Sequence, residues 1–304
     1  MKAWFLRLHR WLALLFALPL AVVIVTGLLL SFEPWLVTRA VEPGTLSLQK
    51  VHGLLSHHDP NGQARAIGYR SYDDALTIGA GRGGGVVIDA VTGDVRHRPS
   101  SLARLFGTAR RLHETLLIEA GWLVILSTAA MLVIALLGIL MGWPRFANSL
   151  AGWHKATAWG LLPLVVLSPL TGLLMAAGVT FTSPPPAPGG QGVPLKLAEA
   201  VEILGRDHDL SALIWLRPQG GRLLARLAEG GEYRLYSVAP AGTTPLERNW
   251  PRLWHEGNFA GAWSAAMNLM LSIAMLGLLV TGVWIWSRRE LSRRTRRLSR
   301  AAAS

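Results

Sequence analysis

No cysteine occurs among the 304 residues. That absence excludes disulfides, thiolate-held zinc, iron–sulfur clusters, covalent c-type haem attachment and a cysteine nucleophile. Charge is sparse as well, at 16% of residues, where soluble domains carry roughly 25%. Hydrophobic residues make up 51% of the chain, which rules out the low hydrophobicity of a disordered protein and argues against a wholly water-soluble one. Three motifs are missing too: the chain has no GxSxG, no HExxH and no P-loop. A nucleophile elbow, a zinc-peptidase site and a phosphate cradle therefore have no sequence support, and no catalytic residue is assigned. With thiols gone, the nine histidines are the natural ligands for any metal.

What is present is apolar sequence in long runs. Trp11 to Phe32, Ala120 to Trp143, Ala156 to Ala177 and Gly257 to Trp286 contain no charged residue, and a helix spanning a bilayer needs roughly 20 apolar residues. Four transmembrane helices are expected. Lys2, Arg7 and Arg10 precede the first run as they would in a secretory signal. The run is too long for such a signal and no small-residue cleavage site follows, so it reads as a retained helix.

The few charges fix an orientation. Lys2, Arg7 and Arg10, then Arg145 and Lys155, then Arg288, Arg289, Arg293, Arg294, Arg296, Arg297 and Arg300 fall on one face. These twelve bases meet a single acid there, Glu290, while the remaining chain holds 18 bases and 17 acids. That face is cytoplasmic and carries both termini; Arg110 and Arg111, near the second run on the other side, go against the trend. The basic tail reads as topology and contact with anionic membrane lipid, not as a nucleic-acid site. Trp11, Trp143, Trp153, Trp284 and Trp286 on the inner side, with Trp35, Trp122 and Trp263 on the outer, form an aromatic belt.

The chain then divides into a first span (1–32), an outer domain (33–119), a second span (120–143), a cytoplasmic loop (144–155), a third span (156–177), a second outer domain (178–256), a fourth span (257–286) and a basic cytoplasmic tail (287–304). Each outer segment opens with helical spacing, over Leu46 to Leu55 and Leu195 to Leu204. Strand-like runs follow: Ala66 to Tyr69, Ala75 to Ile78 and Val86 to Val91 in the first, and Leu213 to Leu216, Leu223 to Leu227 and Tyr233 to Val238 in the second. Pro184, Pro185, Pro186, Pro188, Gly189 and Gly190 form a stiff-then-flexible linker. The fold class expected is an all-α membrane core of four helices with a two-fold internal repeat, carrying two small α+β domains outside.

The repeat is visible in the letters. Leu18-Pro19-Leu20 recurs as Leu162-Pro163-Leu164, Thr26-Gly27-Leu28-Leu29 as Thr171-Gly172-Leu173-Leu174, Leu112-His113-Glu114 as Trp254-His255-Glu256, and Gly121-Trp122 as Ala262-Trp263. Two spans per half give both halves one orientation, so a two-fold axis along the membrane normal relates them. The histidines obey that axis: His9 pairs with His154 on the inner side, and His113 with His255 on the outer. Two imidazoles facing each other across it can hold an iron porphyrin by both axial positions. Glu114 and Glu256 follow the outer histidines and either orient a ligand, relay protons or stabilise a helix start. His57-His58-Asp59 reads as solvated loop, and His52, His97 and His208 as surface residues. One difficulty stands: an unbroken helix would place His113 and His255 roughly 12 Å outside the aromatic belt. Gly257 and Gly261, or Gly121 in the second span, would permit a bend.

Several of these segments resemble the PepSY-associated transmembrane family over nearly the whole chain. They are Leu8-His9-Arg10-Trp11-Leu12, Gly152-Trp153-His154, Leu253-Trp254-His255-Glu256-Gly257, Thr281-Gly282-Val283-Trp284, and Val86 to Val95 with its Thr92-Gly93-Asp94. The resemblance implies two periplasmic PepSY-like domains on a four-helix core in the bacterial inner membrane. It also implies two b-type haems, ligated by His9 with His154 and by His113 with His255. Some members reduce ferric siderophores, which makes a haem-dependent ferric reductase the expected activity and an iron(III)–siderophore the expected partner. The outer loops here are short, the second PepSY-like unit is degenerate, and the chain lacks the flavodoxin-like extension of some relatives. The electron donor must then be separate, a quinol or another flavoprotein. The alternative is a non-enzymatic membrane-anchored PepSY module that binds a peptide or protein.

Overall fold

The computed structural model describes residues 2–81, 84–143, 146–183 and 195–301. The Pro-Gly linker at 184–190 and Arg145 of the orientation count lie outside the described residues. In chain order the first half contains α1 (Lys2–Leu15), α2 (Ala17–Leu30), α3 (Glu33–Arg39), α4 (Leu48–His58), β1 (Ala66–Arg70), β2 (Ala75–Gly81), β3 (Gly84–Asp89), α5 (Ser101–Thr115) and α6 (Gly121–Leu140). The second contains α7 (Leu150–Gly160), α8 (Leu162–Ala176), α9 (Leu197–Asp207), β4 (Leu213–Gln219), β5 (Arg222–Glu229), β6 (Glu232–Ala239), β7 (Gly242–Pro245), α10 (Trp250–Glu256) and α11 (Ala262–Ala301). Two compact units result: Met1–Ser31, Thr108–Val179 and Ala266–Ser304 form one, and Phe32–Gly107 with Thr180–Ala265 the other.

The helical unit is built inside out. Leu20, Ile24, Val165, Leu271 and Met275 close its core, with Met131, Ile134 and Ala135 of α6 packed against them. The other buried side chains include hydroxyls: Thr26, Ser127, Thr128 and Thr171 are all nearly inaccessible. Each returns its hydroxyl hydrogen to a carbonyl one turn back, as Ser127 does to Leu123 at 2.6 Å and Thr128 to Val124 at 2.8 Å. Meanwhile Ile125, Leu126, Val133, Leu136 and Leu140 of α6 and Met270, Ile273 and Val280 of α11 stand exposed. An apolar exterior around a partly polar interior suits lipid as the solvent.

Four unbroken spans are not what forms. Three helical stretches are long and apolar enough to cross a bilayer, Ala17–Arg39, Gly121–Leu140 and Ala262–Arg296, while α7 and α8 make a fourth only as a pair bent by 65°. The repeat explains where the helices break. Phe16, between α1 and α2, has φ −97° and ψ 8°; Leu161, between α7 and α8, has φ −108° and ψ 16°. The repeated prolines, Pro19 and Pro163, follow directly. Proline has no N–H for the preceding turn and its ring clashes with the carbonyl four residues back, so a helix restarts where it stands. At the other end of the chain, the expected tail is not separate from the fourth span: α11 runs unbroken for 40 residues.

The larger correction concerns the outer segments. They do not form two small α+β domains. All seven strands join one antiparallel sheet in the order β3-β2-β1-β4-β5-β6-β7. The seam lies between the halves, where Ile67 pairs with Leu216 and Gly68 with Trp215. The helices expected from spacing form as α4 and α9. Ser47 caps α4 by accepting from the Lys50 amide at 3.2 Å. The apolar faces of these two helices bury Val51 and Leu55 beside Val201 and Leu204, over Ile67, Leu76 and Ile88 of one half and Leu213, Leu216 and Leu227 of the other. This is a single core. The reason is the sheet edge: a three-stranded sheet leaves β1 exposed, and pairing β1 with β4 removes two open edges at once.

Candidate metal-ligand site

Three histidines of the helical unit are held by the same device. His9 Nδ1, on α1, is 2.9 Å from the Ile134 carbonyl of α6. His113 Nδ1, near the end of α5, is 3.0 Å from the Val23 carbonyl and 3.2 Å from the Thr26 hydroxyl of α2. His154 Nδ1, on α7, is 2.8 Å from the Thr281 hydroxyl of α11. A carbonyl can only accept, so Nδ1 of His9 and of His113 carries the hydrogen. Thr281 has already given its hydrogen to the Gly277 carbonyl at 2.6 Å, so its oxygen accepts from His154. The tautomer thus follows from the acceptors in all three. When Nδ1–H donates, the lone pair of a neutral imidazole sits on Nε2, which is the state of a metal-ligating histidine with its outer partner in place.

Two Thr-Gly pairs, Thr26-Gly27 and Thr281-Gly282, acquire a role here. A Cβ added to Gly27 would lie 3.3 Å from Cε1 of His113, and one added to Gly282 would lie 3.5 Å from Cε1 of His154. In each case the threonine folds its hydroxyl onto its own helix and the glycine leaves room for the ring. Thr171 makes the same turn, donating to Leu167 at 2.8 Å. The sequence shows Thr26-Gly27 as letters repeated at Thr171-Gly172; the service of Thr26-Gly27 and Thr281-Gly282 to the histidines is visible only in the fold. His9 and His154 also lie within electrostatic reach of one another.

The bend that brings His113 inward is not at Gly121. Leu116, Leu117 and Glu119 take φ of 54°, 63° and 54°, which separates α5 from α6. Left-handed geometry costs a side-chain-bearing residue roughly 1–2 kcal/mol, and none of the three is the glycine that would have signalled it. As a result His113 rests on Val23 and Thr26, well inside the apolar length of α2. The bend before α11 does use the expected glycines, Gly257 at φ 67° and Gly261 at φ 55°.

His255 sits on α10, in the sheet-containing unit. Its neighbour Glu256 is the end of that helix. It accepts from Arg226 Nη2 at 2.5 Å and from Asn258 Nδ2 at 2.7 Å, with Arg252 Nε at 3.6 Å. Burial alone would raise its pKa, but Arg226 and then Arg252 outweigh that and hold it at about 2, below the ordinary 4.5. A carboxylate so pinned keeps its charge at neutral pH and does not relay protons. Glu114, its counterpart in the repeat, is exposed. One expectation follows from the sign of the shift. Glu256 stabilises the fold fully above pH 4.5, its ordinary value, and loses that contribution as pH falls toward 2. Glu256→Gln should remove up to about 3 kcal/mol at pH 7 and flatten the acid limb of a pH–Tm profile; an unchanged limb would contradict the assignment.

Two of the remaining histidines, His58 and His208, have structural roles. His58 Nε2 donates to the Gly93 carbonyl at 2.9 Å, and Asp59 accepts from the Gln63 and Ala64 amides at 2.8 Å each. His208 is not the surface residue expected. Its nitrogens meet Glu229 at 2.7 Å and Thr243 at 3.1 Å, tying the end of α9 to β5 and β7. Among the described residues, no cluster of three or more histidines and carboxylates could hold a metal ion by itself, so a metal at these imidazoles would have to bring its other ligands with it.

A family model described as the PepSY-associated TM region matches residues 6–289. No curated protein matches the chain.

Proposed function

We propose that this chain, which belongs to the PepSY-associated TM family, is a haem-binding electron-transfer protein of the bacterial inner membrane that reduces an iron(III)–siderophore outside the cytoplasm. The observation supporting this is the shared device at His9, His113 and His154: Nδ1–H held by an acceptor and Nε2 left as the donor atom. It suits a metal that arrives with four equatorial ligands and needs two axial ones. The residues fit a b-type haem in chemistry, since neutral imidazoles are common ligands of its iron, and Gly27 and Gly282 leave room for the His113 and His154 rings.

His9 and His154 would bind one haem; His113 and, from the 142-residue repeat alone, His255 would bind a second. Bound haem supplies reversible one-electron exchange. The protein's own part is to hold and orient. The Ile134 and Val23 carbonyls and the Thr281 hydroxyl fix ring tautomer and raise imidazole basicity. Reduction would free the iron of the external chelate, because iron(II) is a poorer partner than iron(III) for hard oxygen donors. The donor is a quinol or a separate flavoprotein on the cytoplasmic side, where both termini lie.

Purified protein should be red, with a Soret band that shifts on dithionite and a pyridine haemochrome stoichiometry of two per chain. A colourless protein that binds no added haem would sink the proposal. It would leave the anchored module that binds a peptide or protein as the reading.

A further inference from the structure

The helical unit has almost no acid. Glu114, Glu119 and Glu290 are its only carboxylates, against fourteen lysines and arginines. Most of those bases whose side chains are described stand exposed. Arg10 is different. Its Nε is buried and makes no hydrogen bond among the described residues. Its guanidinium carbon lies 5.8 Å from the centroid of the Trp11 ring, at the far limit of a cation–π contact. A buried donor without an acceptor is unfavourable, more so when charged, and such an atom calls for a missing partner.

Its place in the chain says which partner. Arg10 directly follows His9, and Lys155 directly follows His154. The 145-residue repeat therefore sets one cation beside each of the two inner imidazoles. Neither Arg10 nor Lys155 has a carboxylate partner among the described ion pairs. Two fixed imidazoles and two unneutralised cations form a donor set for a metal macrocycle that carries two anionic arms.

We propose that Arg10 and Lys155 bind the two carboxylates of the haem at His9 and His154, with Arg10, the partly buried member, contributing more. This rests on the haem reading above and adds to it the recognition of the acidic edge. Arg10 presents a planar fork that matches a carboxylate with two parallel hydrogen bonds. Lys155, which is exposed, offers a solvated point charge. A phosphate from a lipid headgroup has the same anionic chemistry, so the test must separate the two sources.

The full-length apoprotein in phosphatidylcholine nanodiscs is titrated with haem and with haem dimethyl ester, whose carboxylates are blocked. Wild type should prefer free-acid haem by roughly tenfold or more, the scale of one charge-assisted hydrogen bond. Arg10→Gln should lose most of that preference while still binding the ester as wild type does, which also shows that the variant is folded. Lys155→Gln should lose less, and Arg10→Lys should keep an intermediate preference. Equal binding of acid and ester by wild type, or an undiminished preference in Arg10→Gln, overturns the inference and leaves the haem assignment standing. Should Arg10→Gln differ from wild type only in discs containing phosphatidylglycerol, and equally for both ligands, the partner is lipid phosphate and the inference falls. Failure of wild type to bind either ligand overturns the haem assignment itself.

Discussion

His154→Ala should remove one haem per protein, leave the other in place, and abolish reduction of the external acceptor. Thr281 commits its hydrogen to Gly277 at 2.6 Å and accepts from His154 Nδ1 at 2.8 Å, so the Nε2 lone pair is the feature that alanine deletes. With haem bound as proposed, His154→Ala would leave His9 as the one histidine holding that iron, and a haem held by a single histidine would exchange into detergent. The His113 site is untouched, because its supports are Val23, Thr26 and Gly27 on a different helix. Thr281→Val makes the finer test. It keeps the ligand and removes its outer acceptor, a change that typically costs 10–100-fold in metal affinity. The haem should remain partly bound, with a shifted midpoint potential. Pyridine haemochrome content and a redox titration read both results. Full haem content in His154→Ala would refute the ligand assignment.

The second large effect lies in the sheet. Leu216→Asp should destroy the sheet-containing unit as a whole, not its second half alone. Leu216 is completely buried and pairs with Ile67 across the β1–β4 seam. Leu46, Val51, Leu76 and Ile88 of the first half share one core with Leu204, Leu213 and Leu227 of the second. An unpaired carboxylate there costs several kcal/mol, a large share of the roughly 5–15 kcal/mol that holds a domain folded. Hydrogen exchange of the full-length protein should show β1, β2 and β3 losing protection together with β5 and β6. Had the outer segments folded as two domains, β1 to β3 would stay protected. Leu216→Ala, which leaves a cavity and no charge, should cost about 2–5 kcal/mol and lower both halves in step.

The haem and seam predictions mark different depths of legibility. The apolar runs could be read from the sequence because a bilayer leaves no choice: the helix must satisfy its own backbone and face its solvent with hydrocarbon. The strands and the two amphipathic helices could be read because side-chain period is a local property, and β1 to β6 appear where alternation places them. The repeat and the glycine bend before α11 were likewise present as letters and offsets.

Other features had no letters. Alternation says that Ile67 and Leu216 face a core but not that it is the same core, since a strand's pattern does not name its partner 149 residues away. The turn at Leu116, Leu117 and Glu119 takes left-handed geometry without glycine; tertiary packing holds it against local preference. The acceptors that set the histidine tautomers include the backbone carbonyls of Ile134 and Val23, and every residue has a carbonyl. The sequence by itself determined which segments lipid would surround and where most strands and the amphipathic helices fall. Only the tertiary structure decided which nitrogen of each imidazole holds the hydrogen and that two halves share one sheet. Both depend on contacts between residues more than 85 positions apart, which no local pattern encodes.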